Sequence, residues 1–245
     1  MALDEALLVS CARGGLPTLR LYRWSKPTVS LGYFQHYDAV NVRYCVEHDI
    51  DIVRRPTGGR AVLHGHDLTF SIVLPENELP EGYRSVRASH YWLMCGIRES
   101  LRSLGIPAEI GSSESRTGTA VPRTSDCFAH IADCDLHAHD CKVVGAAQVR
   151  KNGVLLEQGS IPYTTPFIGF ERVFWGEPGQ VPVPNVQAVP YARLVEAIVN
   201  NFGSVLQVQL ETVLVNKDEL GNARMLQHGK YDSEDWTRHR KTALD

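Results

Sequence analysis

The chain opens with apolar positions Leu3, Leu7, Leu8 and Cys11, a spacing that predicts a helix ended by Gly14-Gly15. "TLRLYRW" and "TVSLGYF", separated by Lys26-Pro27, read as two short strands. Val42, Cys45, Val46 and Ile50 return to helical spacing, and "DIDIVRR" then reads as a strand running into the turn "PTGG". In "DLTFSIVL" the residues Leu68, Phe70, Ile72 and Leu74 alternate onto one face. The clearest helix spans about Ser85 to Leu104, where Val86, Leu93, Met94, Ile97, Leu101 and Leu104 form one stripe and Gly105 stops it.

The second half is more broken. Residues 111 to 126 have the composition and length of a long loop, which in compact domains is usually functional or mobile. "CKVVGAAQVRKNGVLLEQGSI" reads as a hairpin turning at Asn152-Gly153, the signature of a type I′ turn. Six prolines from Pro162 to Pro190 mark an irregular excursion. A helix over about Tyr191 to Phe202, a strand near "VLQVQLE" and a short helix opened by Asn216 with Glu219 three residues on complete the pattern. Strands and helices interleave without a βαβ rhythm. The expected fold is therefore α+β, a mixed β-sheet covered by helices, with residues 1–245 forming one domain interrupted by the excursion at about 162–190.

Composition narrows the function. The formal charge of −3 over 245 residues offers no footprint for nucleic acid. No apolar run reaches the roughly 18 to 20 residues of a membrane span. "MALDEALL" carries acidic residues where a signal peptide would carry basic ones, so the expected compartment is the cytoplasm. Cys11, Cys45 and Cys95 sit inside apolar patterns, and all six cysteines, with Cys127, Cys134 and Cys141, are expected to be reduced.

Three features carry candidate chemistry. Gly58-Gly59 permits a tight corner and close approach of a ligand, with Arg54, Arg55 and Arg60 around it; this is either an anion or carbonyl cradle or a hairpin corner with solvated arginines. No phosphate-binding lysine and no G-x-G-x-x-G pattern accompanies it. Cys127 is either a buried thiol or a nucleophile, and a nucleophile needs a nearby cation or base, for which Lys142 and His64 are available. "CFAHIADCDLHAHDC" gathers Cys127, His130, Cys134, His137, His139 and Cys141, but without the spacing of a zinc knuckle or finger; His137 and His139 would share one face of a strand. No metal or cofactor is assigned.

Taken in order, "MALDEALL", "VSLGYFQ", "RRPTGGRAVLHGHDLTFS", the pair Cys127-Phe128, "KVVGAAQVRKNGVLLEQGSI" and "KYDSEDW" resemble the lipoate and biotin protein ligase superfamily, and within it the cysteine-dependent octanoyltransferases of the LipM type. The resemblance spans about residues 1 to 240. It implies the catalytic-domain fold shared with biotin ligases and related to class II aminoacyl-tRNA synthetases. It also implies transfer of octanoyl from acyl carrier protein to a lysine of a lipoyl domain or glycine cleavage H protein, without ATP. By position, Cys127 matches the acyl-accepting cysteine and Lys142 the lysine that favours its thiolate. Arg55, Thr57, Gly58, Gly59 and His64, with Gly145, Ala146 and Gln148, match the substrate-binding set. The sequence departs from the family at Ala146, where serine is commoner, and at "AHIADCDLHAHDC", which replaces an acidic segment containing proline. Val62, Phe70, Ile72 and Val144 are candidate walls for the acyl chain.

Other readings remain open on sequence. An amidotransferase of the same group would move octanoyl from H protein to dehydrogenase lipoyl domains. An ATP-dependent lipoate ligase would usually carry glycine at Arg60 and a "GN" pair where this chain has Gly65-His66-Asp67-Leu68. A non-catalytic binder of carrier or lipoyl domains, or a zinc-structured module, would use no acyl-enzyme.

Overall fold

The computed structural model describes residues 1–111, 124–129, 134–139, 141–166, 169–175 and 189–244. The elements in chain order are α1 (Ala2–Ala12), β1 (Thr18–Tyr22), β2 (Thr28–Leu31), α2 (Val42–Glu47), β3 (Asp51–Arg54), β4 (Val62–His64), β5 (Asp67–Pro75), α3 (Val86–Ser103), β6 (Glu109–Ile110), β7 (Leu136–Ala138), β8 (Cys141–Lys151), β9 (Val154–Pro162), α4 (Tyr191–Leu206) and α5 (Lys217–Leu226). Most of the loop expected at 111–126 and of the proline-rich excursion lies outside the described residues.

The strands form two sheets. The larger runs β1-β5-β9-β8-β7-β6 and is antiparallel throughout; the smaller runs β3-β2-β4, with β2 parallel to β3 and antiparallel to β4. The α+β expectation holds, and the mixed pairing is confined to the small sheet. β4, β6 and β7 are too short to show an alternation, and the sequence reading had no strand at β4 or β6.

Alternation along β5 and β9 gives the large sheet two unlike faces. Leu68, Phe70 and Ile72 with Leu155 and Ile161 meet Leu93, Met94, Ile97 and Leu101 of α3 and Leu194, Ile198 and Phe202 of α4 in the main apolar core. The opposite face carries Asp67, Thr69, Ser71, Gln158 and Ser160, all buried. Here α1 covers one end through Leu7, Leu8 and Cys11 against Val73, Val154 and Leu156. The small sheet has its own core, in which Val29, Leu31 and Leu63 pack on Tyr44 and Cys45 of α2 and on Val173 and Phe174.

Local chemistry explains most element ends. Ser85 caps α3 by accepting a bond from the Ala88 amide, and Asn216 with Glu219 forms a reciprocal capping box on α5. Asn152 and Gly153 both take positive φ, as a type I′ turn requires. Two expectations fail. No strand forms near "VLQVQLE": α4 continues to Leu206, Gln207 ends it in the left-handed region, and Val208 and Leu210 have no strand edge to pair with and stay partly exposed. In α2, Val46 points to solvent because only one and a half turns form, leaving the apolar face to Tyr44 and Cys45.

Asp67 at the start of β5 illustrates how the polar face is satisfied: it accepts from Thr69, Ser160 and the Gly65 amide and bonds His64. Opposite Phe70, β9 carries Gly159, and a methyl group there would overlap the Phe70 ring. Gly159→Ala is expected to lower unfolding free energy by about 1–3 kcal/mol, read by denaturant titration, as overpacking of a closed core does.

Candidate active site

The diglycine corner and the Cys127 turn are built against each other across the polar face. Ala61 forms a parallel bridge with Asp126; its amide donates to the Ser125 carbonyl at 2.9 Å, and the Cys127 amide donates to the Ala61 carbonyl at 2.8 Å. Phe128 is fixed by its amide donating to Asp126 Oδ1 at 2.9 Å. The two stretches, more than sixty residues apart, therefore form a single unit.

Lys142 reaches this unit through an irregularity in β8. Leu136 pairs with Val144 and His137 with Lys142, so Val143 is an extra residue on β8. Val143 and Val144 both enter the main core, and Lys142 consequently shares a face with Gly145, three residues away, which regular alternation would forbid. Lys142 Nζ lies 3.4 Å from Cys127 Sγ and 2.7 Å from Asp135 Oδ2. A side chain at Gly145 would press on Cys127 Sγ, the Phe128 ring and the Lys142 stem, so glycine leaves the approach to sulfur open.

Lys142 and Asp135 are both buried. Burial alone would pull the lysine's proton affinity down, but the charges of Cys127 and Asp135 outweigh it, and Lys142 is held above the ordinary lysine range as an ammonium. The contrast with other cysteines is informative: burial pushes Cys45 up to about 11 and raises Cys11 and Cys95, which keeps all three as inert thiols. All six cysteines are free.

Arg54 and Arg55 are not solvated. Arg55 is 5% exposed and ties the corner from beneath, donating to the carbonyls of Ser30, Gly58 and Arg60 and to Ser30 Oγ. Burial lowers its pKa to about 10, and the Cys127 charge acts in the opposite direction. Gly59 takes φ +84 and carries its Cα against the Arg55 guanidinium, where a side chain would be strained. Thr57 donates from Oγ1 to Gln158 at 3.0 Å, and its carbonyl accepts from the Tyr33 amide at 2.8 Å. Arg54, 1% exposed, donates to the carbonyls of Gly32, Tyr33, Gln35 and Thr237, and Trp236 of the late "KYDSEDW" motif donates back to the Arg54 carbonyl. The same motif places Lys230 and Tyr231 on the Glu5 carboxylate of α1.

His64 is committed elsewhere. Its Nε2 bonds Ser30 Oγ and its Nδ1 bonds Asp67 Oδ2, both at 2.8 Å, while Trp24 stacks on the ring. The connectivity is that of a Ser-His-Asp triad, yet Ser30 is wholly buried and also accepts from Arg55, so the chain acts as a brace beneath the corner. Asp67 is held well below the usual carboxylate range: burial opposes this, but the His64 charge and the hydrogen bonds overcome it.

Ala146 packs against the main core, and Gln148 lies on the α3 side, donating to Glu157 Oε2 and Ser89 Oγ. Neither has a recorded bond to Cys127. Phe70, Ile72 and Val144 are closed inside the same core, so they cannot wall an open channel to Cys127. Val62 alone of the four candidates faces away from the small-sheet core that takes Leu63. A separate shallow cleft of about 380 Å³ lies by the start of α3, between Tyr83, Tyr91, Ile110 and Cys134, and none of the candidate site residues lines it.

Among the described residues no group of three or more His, Cys, Asp or Glu could hold a metal ion. His130 lies outside the described residues; His137 is on β7, but His139 takes positive φ in the following turn and does not share its strand face. Sequence reading missed Asp135, Ser30 and Asp67 as parts of this assembly, and it placed Arg54 at the corner without its main-chain partners. Asp67, three residues from His64, was the one with a usable signal.

Comparison with known proteins shows the family. Residues 1–202 match the profile of the Lipoyl protein ligase A/B catalytic domain. Octanoyltransferase LipM of Halalkalibacterium halodurans is 32% identical over 96% of this chain and 92% of its own, and that of Kyrpidia tusciae 33% over the same shares. A Thermoplasma acidophilum lipoate protein ligase with bound lipoic acid superposes with TM-score 0.79 at 26% identity, covering 97% of this chain and 92% of its own. Lipoate-protein ligase A bound with ATP gives 0.80 at 26%, with the same coverage.

One pH dependence follows from the pair behind Gln148. His90 bonds Glu157 at 2.8 Å; burial would lower its pKa, but the charges of Glu157 and Asp135 raise it above the ordinary histidine value. A raised histidine stabilises the fold fully below its unfolded pKa, and that stabilisation fades as pH climbs through the folded one. The difference in Tm between wild type and His90→Gln should therefore be widest below about pH 6.5 and narrow above it; thermal melts across pH check this.

Proposed function

Because the chain belongs to the lipoyl protein ligase A/B catalytic-domain family, we propose that it is a protein N-octanoyltransferase of lipoate biosynthesis, working through a thioester on Cys127. The observation that carries the reading is the Cys127 sulfur 3.4 Å from a buried ammonium. The full-length likeness to octanoyltransferases LipM supports it.

Lys142 stabilises the Cys127 thiolate, which attacks the thioester carbonyl of octanoyl acyl carrier protein; the C–S bond to the carrier breaks and its thiolate leaves. The developing oxyanion meets the same ammonium. A thioester replaces a thioester, so ATP has no role in the step. In the second half-reaction a neutral lysine of a lipoyl domain or H protein attacks the acyl-enzyme. The C–S bond breaks, the amide forms, and the proton lost by nitrogen goes to the departing sulfur. Arg55, Thr57, Gly58, Gly59 and His64 act by holding the corner that shapes the substrate's approach, and Gly145 keeps the space above sulfur clear. Ala146 and Gln148 support the β8 strand that carries both Lys142 and Gly145.

Among the described residues no helix is long and apolar enough to cross a membrane. A cytoplasmic setting fits six free thiols and two protein substrates of central metabolism.

Incubation with octanoyl acyl carrier protein should give a mass adduct of one octanoyl group that hydroxylamine removes and Cys127→Ala never forms. Survival of the adduct in that variant would reject the covalent route. Lys142→Ala should slow iodoacetamide labelling of Cys127 at neutral pH by on the order of tenfold or more; an unchanged labelling rate would remove Lys142 from the proposed role.

A further inference from the structure

Asp135 has no part in the reaction described above, yet it makes the shortest polar contact that Lys142 has: 2.7 Å, against 3.4 Å to Cys127 Sγ. Both members of the pair are buried, and Asp135 sits immediately before β7, the strand whose bulged pairing aims Lys142 at the sulfur. In the resting enzyme the ammonium thus lies between two anions. Acylation of Cys127 removes one of them, because a thioester sulfur is uncharged. A buried lysine without a counter-charge sheds its proton readily.

A neutral amine in that position would be a hazard. It would stand within reach of the acyl carbon at the high effective concentration of an intramolecular reaction. Attack would break the C–S bond and form an N–C bond, the amine proton passing to the departing thiolate. The products are a free thiol and an octanoyl amide on Lys142, which the acceptor lysine cannot reverse.

We propose that Asp135 is a positioning residue that keeps Lys142 an ammonium through the acyl-enzyme stage, so that the octanoyl group passes to the acceptor lysine and not to Lys142 itself. The inference rests on the acyl-enzyme reading. The groups around Lys142 are consistent with it. Cys127 and Asp135 bear on its charge directly, and the Phe128 ring stands 6.0 Å from Nζ. Arg55 acts on Cys127, and His90 is drawn towards Glu157 with Asp135 contributing. Neither cation replaces the carboxylate beside Lys142.

The test uses wild type, Asp135→Asn and Asp135→Glu, each incubated with octanoyl acyl carrier protein and no acceptor, then treated with hydroxylamine and mapped by peptide mass. In wild type at neutral pH all label should be labile and on Cys127. Asp135→Asn should accumulate hydroxylamine-resistant octanoyl on the Lys142 peptide, growing about tenfold for each pH unit below the lysine's own pKa, and Asp135→Glu should return to the wild-type pattern. Fully labile label in a folded Asp135→Asn protein overturns the inference while leaving the acyl-enzyme intact. Absence of any Cys127 label in wild type defeats the underlying reading instead. Should Asp135→Asn fail to fold, wild type decides: resistant label on Lys142 that emerges only at strongly alkaline pH supports the role, and resistant label at neutral pH, or none at any pH, refutes it.

Discussion

A charge removed from water must be answered by another charge or by aligned polar groups, and the buried ammonium of Lys142 imposes that demand on everything around it. Leaving one member of a buried ion pair unmatched costs about 3–5 kcal/mol. The structure sets the Asp135 carboxylate at 2.7 Å on one side of it and the Cys127 sulfur at 3.4 Å on the other. The placement of those partners accounts for features that otherwise look arbitrary: the extra residue Val143 in β8, the bare Gly145, and the bridge from Ala61 to Asp126 that delivers the cysteine.

The same rule governs the layer beneath. Arg54 and Arg55 are buried cations that face carbonyl oxygens in place of carboxylates, four for Arg54 and three for Arg55. A guanidinium suits this use because its planar fork offers five donors and its charge is loosely hydrated. Each arginine thereby fastens loops that have no regular structure of their own. Arg54 ties the turn at Gly32 to Gln35 to the C-terminal Trp236 segment, and Gln35 in turn donates to the Ser125 carbonyl, two residues from Cys127. The last motif of the chain is thus coupled mechanically to the candidate nucleophile, although no part of it reaches the sulfur.

How far the sequence could be read depended on whether the cause of each feature was local. The α3 stripe, the Asn152-Gly153 hairpin and the Asn216-Glu219 capping box are set by neighbours in the chain, and each was legible. On the residues alone Lys142 and His64 were equal candidates for the partner of Cys127, and only family likeness chose Lys142, because the geometry depends on a bulge that no periodicity announces: residues 142 and 145 should lie on opposite faces of a strand. Arg54 and Arg55 were open to misreading for a related reason. Their partners are main-chain carbonyls, and a carbonyl has no letter in the sequence. Asp135 was hidden differently, inside a run of cysteines and histidines that drew attention to metal chemistry.

The likeness to ATP-using ligases sharpens what the cysteine adds. With TM-scores of 0.79 and 0.80 to lipoate ligases, the scaffold is shared almost whole, so the chemical distinction must lie in few residues. A free acid has to be activated before an amine can take it, and that is what ATP supplies. An acyl group that arrives as a thioester is already activated, and moving it onto another sulfur is close to isoergic. The protein then needs only a reactive sulfur, a cation to steady it, and a means of preventing the reactive ester from finding the wrong amine. Under the proposed acyl-enzyme route, that last requirement is peculiar to a site that pairs a thioester with a lysine, and a carboxylate with no bond to make or break, 2.7 Å from that lysine, would meet it.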